Sequence, residues 1–460
     1  MRAAILIALL AACHRDRLDE KPLVESAAPS ELETFVSALA TAAPAVQIVV
    51  EQHGKVILDR AYGVIDIENQ VPATPDSVFA IGSISKQFGA AAIMQLVEAG
   101  RLSLDDKLAK WMPTFPRADR ITLRQLLQHT TGIVDFEYNG TWPTTMGVAR
   151  TTDEVIATFR DLPPLFEPGT RWAYSSSNYV LVGAIVEKVS GQSLADYLAQ
   201  HVFLAANLTH TRMCDSYAII PHRARGYVLA MTTPVSPTTT TAQFVPAPWS
   251  HLTQFGLAGG ICSTARDLLT WQHALEAGKV VSAASYRLMI TPGELTDGTQ
   301  THYGLGLSQL RFAGHARIMH SGGVSGFVAE LEHFTDDDLR IAIVSNAESG
   351  FIAPSIVTHL LHIAPARAVP IPEANLEALR TAVLESPSEG TVHFELAGDR
   401  IIERDDGGNF EFLHIGDLVF ETRDHVGRLR FEVTNGVVTR VFSSAEDSIE
   451  TMYPKPLPAP

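Results

Sequence analysis

Apolar and polar residues along the chain first repeat with the period of a helix over residues 31–43. They then alternate with the period of a strand across "VQIVVEQHGKVILDRAYGVID". Alternation on both sides of His53-Gly54 predicts a β-hairpin. From Ser83 the pattern becomes helical again, with Phe88, Ala91, Ala92, Met94, Gln95 and Leu96 in an alanine-rich run that stops at Gly100. Residues 101 to 225 read mostly as helices, broken at "MPTFP", "HTTGI", "LPPLFEPGT" and "VSGQS". Residues 226 to 257, rich in Thr, Pro and Ser, lack periodicity and predict a long surface loop. "ICSTARDLLTWQHALEAG" predicts a helix capped by Ser263 or Thr264. Four short strands follow ("YGLGLSQL", "ARIMHSGG", "GFVAELEHF", "LRIAIVSN"), and "SIVTHLLHIA" closes the region as a helix.

Strands at both ends of this region, with helices between them, imply one sheet built from the two ends and a helical lobe inserted in it. A cleft then lies between sheet and lobe. The expected class is α+β, an antiparallel sheet flanked by helices plus a helical lobe. "APARAVPIP" reads as a linker and precedes a short helix; residues 391 to 453 predict five or six strands, a small antiparallel β domain. The organisation expected is 31–365 for the main domain, 366–388 for linker and helix, and 389–460 for the β domain.

At 460 residues, two or three domains are required. The formal charge of −16, with no basic run, argues against nucleic acid or an anionic membrane surface as partner. At the N-terminus Arg2, the apolar stretch Ala3 to Leu10 and Leu10-Ala11-Ala12-Cys13 resemble a bacterial lipoprotein signal. That implies removal of residues 1–12, lipidation of Cys13, a polar tether over 13–30, and a membrane-anchored protein of the cell envelope facing the periplasm or exterior. In an oxidising compartment Cys214 and Cys262 could pair, but nothing in the sequence brings them together, and two isolated, partly buried thiols are expected. The aspartates at 336–338 read as a solvated hairpin tip. His359 and His362 share a helix face without a carboxylate or thiolate, so no metal or other cofactor is expected.

Of the eight lysines only Lys86 has Ser or Thr three residues before it, which places Ser83 and Lys86 on one helical face. By itself the spacing equally fits an N-cap serine with a solvent-facing lysine. Three further stretches change that: Tyr174-Ser175-Ser176 ahead of a helix beginning near Asn178, His320-Ser321-Gly322-Gly323 where two strands meet, and the loop His129 to Gly132. Ser-x-x-Lys, Tyr-x-Ser and His-x-Gly in this order resemble the serine β-lactamase and penicillin-binding-protein superfamily. The branch is that of class C β-lactamases, DD-peptidases, D-aminopeptidases and β-lactamase-like esterases.

The resemblance implies a β-lactamase/transpeptidase-like fold over roughly 31–365 and a serine hydrolase acting through a Ser83 acyl-enzyme on esters or amides. The expected substrates are D-amino-acid peptides or β-lactam-like compounds. Lys86 and Tyr174 share the acid–base work, in an order the sequence leaves open, and the backbone N–H groups of Ser83 and Gly323 form the oxyanion hole. Glycines 322 and 323 are expected to leave room for substrate. Two departures bear on specificity: His320 stands where class C enzymes carry lysine, and Ser176 where they carry asparagine. His320 is accordingly expected to be a neutral hydrogen-bond donor to a substrate carbonyl, and esters or D-peptides to be preferred over β-lactams. His129 is expected only to fix its loop. The C-terminal β domain resembles the lipocalin-like appendage of some relatives but is short for a closed eight-stranded barrel. The competing function is a lipid-anchored protein that binds penicillin or cell-wall peptide with little or no turnover.

Overall fold

A computed structural model describes residues 30–138, 145–229, 244–380 and most of 383–454. Cys13 and its signal therefore lie outside the described residues. The hairpin strands β1 (Ala45–Gln52) and β2 (Lys55–Asp66) lead to a short edge strand β3 (Val71–Pro72). Much later in the chain come β4 (Ser308–Phe312), β5 (His315–Val324), β6 (Phe327–Phe334) and β7 (Leu339–Ser345). They form one antiparallel sheet in the order β3-β2-β1-β7-β6-β5-β4, with β1 and β7 joining the two chain segments in the register Ile48↔Ile343.

The period of two then sorts the side chains. Val46, Ile48, Val50, Ile341 and Ile343 face a cluster completed by Val36 of helix α1 (Glu31–Leu39) and by Ile356 and Val357 of the helix Ala353–Leu360. Ala45, Val49, Ala342 and Val344 face the opposite way, into the larger cluster of the helical lobe. Its centre is made by helices α2 (Ser85–Glu98) and α3 (Ser176–Ser190), both buried over most of their length, with Phe88 stacked on Trp271 at 4.0 Å. Helix α4 (Ala265–Glu276) is capped by Thr264, whose side chain accepts from the Asp267 N–H, while Ser263 belongs to a short strand.

Two expectations fail here. Cys214 and Cys262 are not isolated thiols: they form a disulfide, with Cα atoms 5.0 Å apart and both residues buried. The short strands Arg212–Met213 and Ile261–Ser263 pair side by side and bring the two cysteines together across 48 residues. Such two-residue pairings leave no periodic trace in sequence. The long surface loop is also interrupted: Tyr227–Leu229 pairs with Phe244–Pro246, and a 3-10 segment spans Leu252–Ala258.

The C-terminal strands close into a barrel of eight, because Val383–Ser386 pairs both with Gly390–Ala397 and with Ile449–Pro454. The expectation of five or six strands too short for closure is corrected. Its miscount comes from Val383–Ser386, which lies ahead of residue 389, and from Val419–Glu421, a strand of three residues. Ile401, Phe412, Phe420, Leu429 and Phe431 fill the interior, joined by Ala378 and Leu379 from the helix Glu373–Arg380.

Candidate active site

The short strand Phe79–Ala80 pairs with Ile261–Ser263 and then turns sharply at Gly82, which has φ +48°. That left-handed value favours glycine, and a Cβ at Gly82 would also stand 2.6 Å from the Gly323 nitrogen. Ser83 lies in the 3-10 turn Gly82–Ile84 that feeds α2. On the facing strand a Cβ at Gly322 would meet the Ile81 carbonyl oxygen at 2.0 Å and the Ser83 nitrogen at 2.9 Å. Backbone thus packs directly on backbone, which brings Ser83 beside Gly323. Only one of the two glycines departs from expectation. Gly322 makes room for the Ile81–Ser83 turn rather than for substrate, whereas Gly323 is exposed, with open space where its Cβ would be.

Lys86, in the first turn of α2, is fully buried and not solvent-facing. Its Nζ donates to Ser83 Oγ at 2.8 Å and to the Ala258 carbonyl at 2.8 Å, and lies 4.6 Å from the centre of the Tyr174 ring. Burial lowers its pKa from 10.5 to about 8, against the opposing pull of Glu137 and Asp135. Tyr174 stands just ahead of α3 with Ser83 acting on its phenol, and burial drives that phenol well above the ordinary range. The two groups respond oppositely for one reason: a low-dielectric site disfavours ammonium and phenolate alike. The neutral amine comes within reach near neutral pH, and the phenolate recedes from it.

His320 is held differently from expectation. Its Nδ1–H donates to the Ser321 carbonyl at 2.6 Å, and its Nε2 accepts from the Tyr303 hydroxyl at 2.8 Å. Both ring nitrogens are engaged, so the imidazole has no donor for a substrate carbonyl. Burial, and then the charge of Lys86, lower its pKa to about 3, which keeps it neutral. His129 is buried with φ +58°. Its Nδ1 accepts from the Ser175 N–H at 3.2 Å and faces Asn178 Nδ2 at 3.2 Å, the loop-fixing contacts expected of it.

Ser176 leads to residues that sequence reasoning missed. Its backbone N–H donates to Asp135 Oδ2 at 2.6 Å, and its hydroxyl interacts with the carboxyls of both Asp135 and Glu137. Asp135 is the fixed member of this pair: it is buried, caps the start of α3, and accepts from the Glu137 N–H at 3.0 Å. Glu137 is half-buried, as are Ser83 and Tyr174. Burial and then the charge of Asp135 raise the Glu137 pKa to about 7. The available signal was "IVDFEY", two acids flanking Phe136 in an apolar stretch. Phe136 turns into the core against Phe159 and Phe255. Among the described residues no cluster of three or more potential ligands could hold a metal ion. None of the described helices is long and apolar enough to cross a membrane.

The model of the Beta-lactamase family matches residues 32–358. The chain belongs to that family. It is thus a member of a group of serine hydrolases. A penicillin-binding protein of Bacillus subtilis (strain 168) is 27% identical over 409 residues, which cover 86% of this chain and 87% of that protein. The D-aminopeptidase of Brucella anthropi is 26% identical over 341 residues, 73% of this chain and 62% of its own. The chain spans about three fifths of the length of two of the curated relatives that it matches. Among solved structures, the octameric penicillin-binding protein homologue from Pyrococcus abyssi shares the fold with a TM-score of 0.63 at 23% identity. The match covers 92% of this chain and 99% of that one.

Proposed function

We propose that this protein hydrolyses amides or esters whose acyl part carries a free amine next to the scissile carbonyl, through an acyl-enzyme on Ser83. The observation that carries the reaction class is Lys86 Nζ, buried, 2.8 Å from Ser83 Oγ and with its pKa lowered to about 8. Neutral Lys86 takes the hydroxyl proton as Ser83 Oγ bonds to the carbonyl carbon. The carbonyl electron pair moves to oxygen, where the N–H groups of Ser83 and Gly323 stabilise it. Collapse restores the carbonyl and breaks the bond to the leaving nitrogen or oxygen. Tyr174, kept protonated by burial, donates to that atom and regains a proton from Lys86. Water attacking the ester in the reverse sense frees Ser83.

Substrate class follows from charge. Glu137 supplies a half-buried carboxyl beside Ser176, while His320 is neutral with both nitrogens occupied. A substrate ammonium is favoured there and a substrate carboxylate is not, which argues for amine-bearing D-peptides or amides over β-lactams. The D-aminopeptidase likeness fits this reading. The protein also acts outside the cytoplasm, anchored by lipid on Cys13. The "LLAAC" stretch and a buried disulfide typical of oxidising compartments support that placement.

Four substrates compared side by side test the proposal: D-alanine p-nitroanilide, its N-acetyl derivative, p-nitrophenyl acetate and nitrocefin. The free amine should give the highest kcat/KM among the amides, and Ser83→Ala and Lys86→Ala should abolish turnover while leaving the melting temperature within a few degrees. Preference for the N-acetyl compound overturns the substrate class. A stable acyl-enzyme with every substrate restores the binding-protein reading.

A further inference from the structure

A second feature, independent of the reaction proposed above, lies where the hydrolase sheet meets the barrel. A cavity of about 390 Å³ opens between the edge strand β4 with its preceding loop and the barrel strand Arg428–Thr434. This volume lies within the range of small-molecule sites. The period of two again sorts the side chains. Leu429 and Phe431 point into the barrel, so Arg428 and Arg430 share its outer face and line the cavity. Arg311 and Gln309 line it from β4, and Gln300 and His302 from the loop.

Three arginines therefore line one cavity in a chain whose formal charge is −16, with Arg311 Nη1 donating to the Gly314 carbonyl. Among the described residues no carboxylate lines it. Arg428 and Arg430 are steadied from the barrel side: Arg428 Nη1 meets Glu421 Oε1 at 3.0 Å and Arg430 Nη1 meets Glu432 Oε1 at 3.1 Å. Glutamates that hold a guanidinium fork in place reduce the ordering cost of binding an anion. The field of these groups is felt inside the cavity. The pKa of His302 is lowered by burial and then by Arg430 and Arg428.

We propose that this cleft binds a small organic anion carrying two or more negative charges, of the phosphate or polycarboxylate class. Guanidinium groups match both chemistries with paired N–H donors, and Gln300 and Gln309 add amide donors for the remaining oxygens. Because Gln300, Gln309 and Arg311 come from one unit and Arg428 and Arg430 from the other, such a ligand bridges hydrolase and barrel.

The test is calorimetric titration of the full chain with pyrophosphate and, separately, with citrate at low ionic strength. Binding of either at sub-millimolar concentration is expected, weakening as salt is added. Arg430→Gln should weaken it at least tenfold. Arg428→Gln removes an ion-pair partner of the buried Glu421 and can unfold the barrel, so Gln309→Glu serves as the second variant. It adds a negative charge at an exposed position, leaves both arginines and their glutamate partners in the chain, and should also weaken binding at least tenfold. A higher titration pH of His302 in the bound state, followed by NMR, places the anion in the cleft. No binding of either anion overturns the proposal, as does binding that both variants leave unchanged.

Discussion

Replacing Glu137 by glutamine changes one charge in the site while keeping a side chain able to meet the Ser176 hydroxyl. Two consequences of opposite sign follow. The carboxyl is lost as partner for a substrate ammonium, and charge-assisted hydrogen bonds of that kind are worth about 1.5–3 kcal/mol. For D-alanine p-nitroanilide this corresponds to a fall of roughly 10- to 150-fold in kcat/KM. The second consequence concerns Lys86, whose pKa of about 8 is held up by Glu137 first and Asp135 second against the effect of burial. With a pKa near 8, only about one Lys86 in eleven is the free base at pH 7. Removing Glu137 lowers that pKa further, and a fall of one unit makes about half of Lys86 neutral, a roughly fivefold gain. Turnover of p-nitrophenyl acetate at pH 7 should therefore rise as amine-substrate turnover falls. The activity of both enzymes increases with pH as Lys86 loses its proton, and the variant's rise should be displaced to lower pH. Initial rates on both substrates between pH 5.5 and 9.5 provide the measurement. Equal losses on both substrates would refute the reasoning, because that pattern indicates damage to the fold or to Ser83. An unchanged kcat/KM for the amine substrate would remove Glu137 from substrate recognition.

Gly322→Ala should lower kcat on every substrate by about 100-fold or more, since its Cβ would sit 2.0 Å from the Ile81 carbonyl and displace Ser83 from Gly323. Gly323→Ala, whose Cβ meets open space, should retain most activity, and steady-state kinetics on p-nitrophenyl acetate separates the two. Cys262→Ala removes a buried disulfide and should destabilise the protein by about 2–5 kcal/mol in denaturant titration, with the wild type under reducing agent showing the same loss. Cys13→Ser should convert a membrane-pelleting protein into an unprocessed or soluble one; wild type recovered free in the cytosol rules out the anchor.

The parts of this protein that were legible in the sequence are those set by local period and short spacing. The hairpin around His53-Gly54, the helix after Ser83 and the strands after residue 307 are visible because burial of one face repeats every two or 3.6 residues. Ser83 and Lys86 belong to the same category, since one helical turn joins them whatever the rest of the chain does. Their resemblance to a known motif set located Tyr174 and His320 as well.

What these residues do required the tertiary structure. Nothing near His320 in sequence indicates that Tyr303 and the Ser321 carbonyl take up its two nitrogens. Asp135 and Glu137 acquire meaning only when α3 delivers Ser176 to them, and Cys214 reaches Cys262 through a pairing two residues long. The lowered pKa of Lys86 and the raised one of Tyr174 come from burial by segments far away along the chain, including the Ala258 carbonyl, 172 residues on. Backbone period is a local property that a single segment carries. Desolvation and the pairing of buried polar groups depend on which segments meet, and only the packed chain decides that.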